Sequence, residues 1–132
     1  MDLIRFTIFV LNKLPFNRVS RRIIHILVNL LSDGPIRTRA GYQINFKRTG
    51  KFATSLRKAI ISGSYEKEYL EIFSRIIKSD DYVVDVGAHE GFLTLLFWRL
   101  TRLGNGKVSA IEPNPENISI LKNNLLINNL II

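Results

Sequence analysis

Cysteine is absent from this 132-residue chain, which removes disulfides, thiolate metal sites and cysteine nucleophiles from consideration. Imidazole is nearly absent too: His25 and His89 stand far apart, so a histidine-based metal site is not expected. No apolar run approaches the ~20 residues needed to span a bilayer. The longest near the start, Ile23 to Leu31, is interrupted by His25 and Asn29. Met1 to Leu14 holds one arginine and a short apolar run with no small-residue cleavage site behind it, so a secretory signal is open but weakly supported. Acid is scarce in the first half. Residues 1–63 carry twelve Lys/Arg against two Asp/Glu, a balance of +10, whereas residues 64–132 carry seven against nine, or −2.

What remains is ordinary globular composition, with 46% apolar and 23% charged residues, enough for one small domain with a modest core. The formal charge of +8 belongs wholly to the first half. Such a surplus suits an acidic partner, such as an anionic membrane surface or a phosphorylated glycan precursor, or else a plain solvated surface. Nucleic acid has the right sign but is not the expected partner. The expected location is cytoplasmic, with membrane association open through the basic half.

Residues 18–31 repeat at helical spacing, with Val19, Ile23, Ile26, Leu27 and Leu30 on one face and Arg18, Arg22, His25 and Asn29 on the other. Asp33-Gly34-Pro35 stops that helix. Its apolar stripe can pack on the domain's own core or lie on an anionic membrane. Tyr42 to Phe46 alternates as a short strand, and Lys47-Arg48-Thr49-Gly50-Lys51 reads as an exposed basic turn. Ser62-Gly63-Ser64 breaks the chain before a helix over 65–77, with Tyr65, Tyr69, Ile72, Phe73 and Ile76 on one side. The division expected is a basic extension over 1–63 and an α/β unit over 64–132.

From residue 82 the pattern is β-α-β-α. Strands are expected at 82–86 and 107–111, and helices at 92–103 and 115–128, with Asn114 as N-cap and Pro115 at the first helical position. The helix over 92–103 leaves little polar face and should be buried, Trp98 with it. Strand–helix alternation predicts parallel pairing.

Asp85-x-Gly87-x-x-x-Gly91 joins the first strand to its helix. Gly87 permits a tight turn and a ligand's approach to the backbone, and Gly91 lets the helix pack closely and leaves its first amides available. An acid at the strand tip suits a cationic ligand and repels a pyrophosphate, and Glu90 inside the turn adds to that. A nicotinamide loop would read glycine-x-glycine-x-x-glycine, which Gly87-Ala88-His89-Glu90-Gly91 does not. Glu112 ends the second strand, where a carboxylate can accept from both ribose hydroxyls of an adenosine. It can equally be a helix N-terminal acid. S-adenosylmethionine (SAM), which has no phosphate and carries positive charge, fits this set better than a dinucleotide. His89 invites a general-base reading, but lining the loop or facing solvent is the simpler expectation. Asn117-Ile118-Ser119 matches a glycosylation sequon, which means little without a secretory signal.

The segments Val84 to Gly91, Ile111 to Asn117 and Leu121 to Asn128 resemble consecutive blocks of the FkbM-type SAM-dependent methyltransferases. Gly63-Ser64-Tyr65-Glu66 is similar to that family's glycine-x-tyrosine-glutamate element. The resemblance covers residues 63–132. It implies a Rossmann-like fold, SAM as cofactor, and O-methylation of a sugar, glycan or natural-product hydroxyl. By the same resemblance Asp85, Gly87, Ala88 and Gly91 sit near the methionine end, Glu112 at the ribose, and Glu66 close to the cofactor; His89 in the loop and Asn114 after the second strand are counted among the cofactor-binding residues. His89 occupies a position where the family commonly has asparagine. The family's domain also continues through further strands, so the expectation is an incomplete parallel sheet that needs a missing segment or an oligomer partner. No catalytic residue is assigned. The competing expectation is a non-catalytic fragment that binds anionic membrane or polyanion through the basic half.

Overall fold

The structure, a computed structural model, describes residues 34–38, 40–46 and 64–130. The helix expected over 18–31, the basic turn at 47–51 and the side chains of residues 64–66 lie outside the described residues. The described elements run β1 (Ile36–Arg37), β2 (Gln43–Ile44), α1 (Ser64–Ile76), β3 (Tyr82–Val86), α2 (Phe92–Thr101), β4 (Lys107–Ile111) and α3 (Pro115–Leu126). The class is mixed α/β, with an antiparallel hairpin β1–β2 and a parallel pair β3–β4.

β3 and β4 pair in register from Tyr82↔Lys107 to Val86↔Ile111, as the strand–helix alternation predicts. Two aspartates set the start of the pair. Asp81 accepts from the Lys78 N–H through its carboxylate (2.8 Å), and Asp80 accepts from the Asn105 N–H (3.0 Å), so the turns at 78–81 and 104–106 lock together. At the far end the Gly87 and Ala88 N–H groups both donate to the Ile111 carbonyl (2.9 and 3.1 Å), carrying the pairing beyond the last strand residue.

α2 is apolar nearly all round because it is covered on two sides. One side lies on the β3–β4 pair, and the other packs into a core with the hairpin residues Ala40, Tyr42, Ile44 and Phe46. Leu95 and Leu96 are fully buried, each worth about 1.5–3 kcal/mol. α1 joins through rings: Phe73 meets Phe97 edge-on at 4.8 Å, and Tyr69 meets Phe92 at 6.4 Å. The described part of the first 63 residues therefore shares its core with the α/β part.

Four expectations need correction. α2 stops at Thr101 rather than 103, where the Thr101 hydroxyl turns back onto the Phe97 and Trp98 carbonyls and the Gly104 N–H closes on Thr101. α3 stops at Leu126 rather than 128, because Asn129 takes a left-handed φ of 59°. Its N–H reaches the Leu126 carbonyl and the Leu130 N–H reaches Leu125, the Schellman closure. The strand at 42–46 pairs only over Gln43–Ile44. The α1 stripe is half covered: Ile72 and Ile76 face outward, since α2 spans only the Tyr69 and Phe73 side.

Candidate functional site

The pleat decides where Asp85 goes. Successive strand side chains alternate faces, so Asp85 shares the α2 side of β3 with Val83 while Val84 and Val86 point away. Asp85 is consequently buried, and its Oδ2 accepts from the Thr94 hydroxyl at 2.6 Å, in the first turn of α2. It sits beneath the glycine loop rather than at an open strand tip.

Above it the chain turns sharply. Gly87 has φ 79° and a β-carbon there would meet nothing within 4 Å, so the space over this residue is open. Gly91 also has a left-handed φ (90°), but there a β-carbon would run into the Leu121 side chain of α3. One glycine leaves room for a ligand, and the other lets two helices approach. Gly91 is the N-cap of α2 and brings no side-chain capping oxygen, as the motif implied. Ala88 is buried. His89 is exposed and holds a left-handed φ of 51°, a conformation that histidine and asparagine tolerate better than most side chains.

Glu112 ties this loop to the next strand. Its Oε2 accepts from the His89 N–H (2.9 Å), and its Oε1 accepts from the Asn114 N–H (3.0 Å) and the Asn117 side-chain amide (3.1 Å). These donors favour the ionised form and hold its pKa below the ordinary 4.5, the Asn114 and His89 amides contributing most and burial opposing them. Asn114 caps α3, its side-chain oxygen accepting from the Glu116 N–H at 2.9 Å. The structure thus brings Gly87, Ala88, His89, Gly91, Glu112 and Asn114 to one end of the parallel pair, with Asp85 below. For Glu66 only its place in the first turn of α1 is described.

Comparison of the chain with protein-family models, with curated proteins and with solved structures finds no match in any of the three.

Three contributors escaped the sequence reading. Thr94 partners Asp85, Asn117 partners Glu112, and Asn124, fully buried, donates to the Glu90 carbonyl at 2.7 Å. Asn117 had a usable signal: it follows the cap Asn114 by three residues and so lies one turn along the same helix face. Trp98, expected in the core, is half-buried, with the Arg102 guanidinium 5.4 Å from its ring centre. It lines a largely apolar groove of about 440 Å³ between α2, β4 and α3, whose other walls include Val108, Ala110, Leu121 and Leu125. Glu112 also borders that groove, but no residue of the 87–91 loop does. Among the described residues no three of His, Asp or Glu are grouped to hold a metal, and no helix is long and apolar enough to cross a membrane.

Proposed function

We propose that this chain is the cofactor-binding part of a SAM-dependent methyltransferase of the FkbM type, acting on a hydroxyl of a sugar, glycan or natural product. In this reading β3 and β4 begin a Rossmann-like sheet. The observation that carries it is the hydrogen bond from the His89 N–H to Glu112 (2.9 Å), which fixes an acid at one strand tip beside the glycine turn of its parallel neighbour. That is the arrangement a nucleoside needs: an open backbone at Gly87 and an acceptor for ribose next to it. Glu90 within the turn and Glu112 bonded to it, with Asp85 buried below, disfavour a pyrophosphate there. The left-handed φ of His89 gives a physical reason why histidine can replace the family's asparagine at this position.

Bound SAM supplies a methyl group activated by a sulfonium. The chain's own part is to orient it: Glu112 toward the ribose, and the Gly87 turn and the uncapped start of α2 toward the methionine end. Binding of labelled SAM by equilibrium dialysis tests the reading. A lost hydrogen bond to a charged group is worth ~1.5–3 kcal/mol, so Glu112→Ala should weaken binding roughly ten- to a hundredfold. NAD in the same cell should not compete. Absence of SAM binding, or wild-type affinity in Glu112→Ala, defeats the proposal.

The charge division favours a second reading, in which residues 1–63, at +10, hold the protein on anionic membrane. Salt-sensitive binding to phosphatidylserine vesicles without SAM binding would select it.

A further inference from the structure

We infer that Glu112 reads one ribose hydroxyl rather than the pair, because Asn117 and Asn114 fill one of its two oxygens. This rests on the SAM reading above and sharpens it. A carboxylate has about four in-plane acceptor positions, two on each oxygen. Oε1 accepts from the Asn114 N–H at 3.0 Å and from the Asn117 amide at 3.1 Å, which uses both of its positions. Oε2 accepts from the His89 N–H at 2.9 Å, which leaves one. A diol held in fork fashion needs one acceptor position on each oxygen.

The Asn117 orientation follows from charge. Turned the other way, its carbonyl oxygen would face an ionised carboxylate, so the amide nitrogen is the end that points to Glu112. The three donors come from the glycine loop, from the residue that caps α3, and from the first turn of α3 itself. The carboxylate is therefore fixed before a ligand arrives, and so is the direction of its remaining position. Asn117 acts through Glu112 and is a positioning residue that sets hydroxyl selectivity.

Calorimetry on the full chain with S-adenosylhomocysteine and its 2′-deoxy and 3′-deoxy analogues tests this. One analogue should lose roughly ten- to a hundredfold in affinity and the other should stay within about twofold of the parent. Asn117→Ala releases one position on Oε1, so the tolerated analogue should now bind several-fold more weakly than the parent. A merely structural role for Asn117 would lower all three affinities together and keep their ratios. Comparable losses for both analogues in the wild type, or no loss for either, overturn the inference while leaving cofactor binding in place. Unchanged ratios in Asn117→Ala overturn the role of Asn117. Failure of all three ligands to bind overturns the SAM reading itself and this inference with it.

Discussion

At the scale of single residues, the chemistry of this site is governed by who already holds each polar atom. The Glu112 carboxylate is stabilised as an anion by two backbone amides and one side-chain amide, so its folded pKa lies below its unfolded value. Its contribution to stability is present above the unfolded value near 4.5 and is lost as pH falls through the lower folded one. In an NMR titration the His89 and Asn114 amide protons should shift together, with a common midpoint below 4.5. Separate midpoints, or one at or above 4.5, would contradict the shared carboxylate. The two loop glycines should also part company. Gly87→Ala meets only backbone strain, ~1–3 kcal/mol, whereas Gly91→Ala adds overpacking against Leu121 of a further ~1–3 kcal/mol, read by urea unfolding. The glycines were legible from their types and spacing. The difference between them was not, because it depends on α3 crossing behind Gly91.

At the scale of elements, α3 does more than follow β4. Asn124 and Asn128, one helical turn apart, present their amides to the backbone of the hairpin. Asn124 accepts from the Asn45 N–H (2.7 Å) and donates to the Asn45 carbonyl (2.8 Å), and Asn128 does the same with Gln43 (2.8 and 2.6 Å). The match is geometric. Four residues of helix rise about 6 Å, and two residues of strand advance about 6.6 Å. Asn124→Ala should cost about 3 kcal/mol, since it strands buried groups of both the hairpin and the Glu90 turn, and the more exposed Asn128→Ala about 1 kcal/mol. Equal losses in a denaturant series would show that burial is not what distinguishes them. The elements from β3 to α3 were readable because a glycine turn or an Asn-Pro cap punctuates them. β1 was not, since two residues are too few to show alternation. Nor could the stripe on α1 reveal that its neighbour reaches Tyr69 and Phe73 but leaves Ile72 and Ile76 in solvent.

For the molecule as a whole, the described residues cover the parallel pair on one face only. Val84 and Val86 are 48% and 76% exposed, and Tyr82 and Ile111 lie beside them, with the Tyr82 and Ser109 hydroxyls bonded at 2.7 Å. Parallel strands usually carry cover on both sides, so this face is a solvent-exposed apolar patch. The double variant Val84→Thr/Val86→Thr should lower the fluorescence of a bound hydrophobic dye while leaving the melting temperature within a few degrees, because neither side chain is buried. A large loss of stability would mean that the face is covered in solution. Sequence alternation alone gave the parallel pairing but could not say which face would be bare. Val84 and Val86 look as core-like on paper as Val83 does.

Asn124 of α3 and Asn128 just past its end carry one more consequence. A two-residue strand pairing by itself shields its amides poorly from solvent deuterium, and such a hairpin would be labelled almost at once. Here the Gln43 and Asn45 N–H groups are held by the Asn128 and Asn124 side chains, so their exchange waits for those contacts to open. Because the same Asn124 amide also holds the Glu90 carbonyl, an opening that withdraws Asn124 loosens the glycine turn as well. The exchange rate of the Asn45 amide, far along the chain from Gly87, therefore clocks the opening of the 87–91 turn.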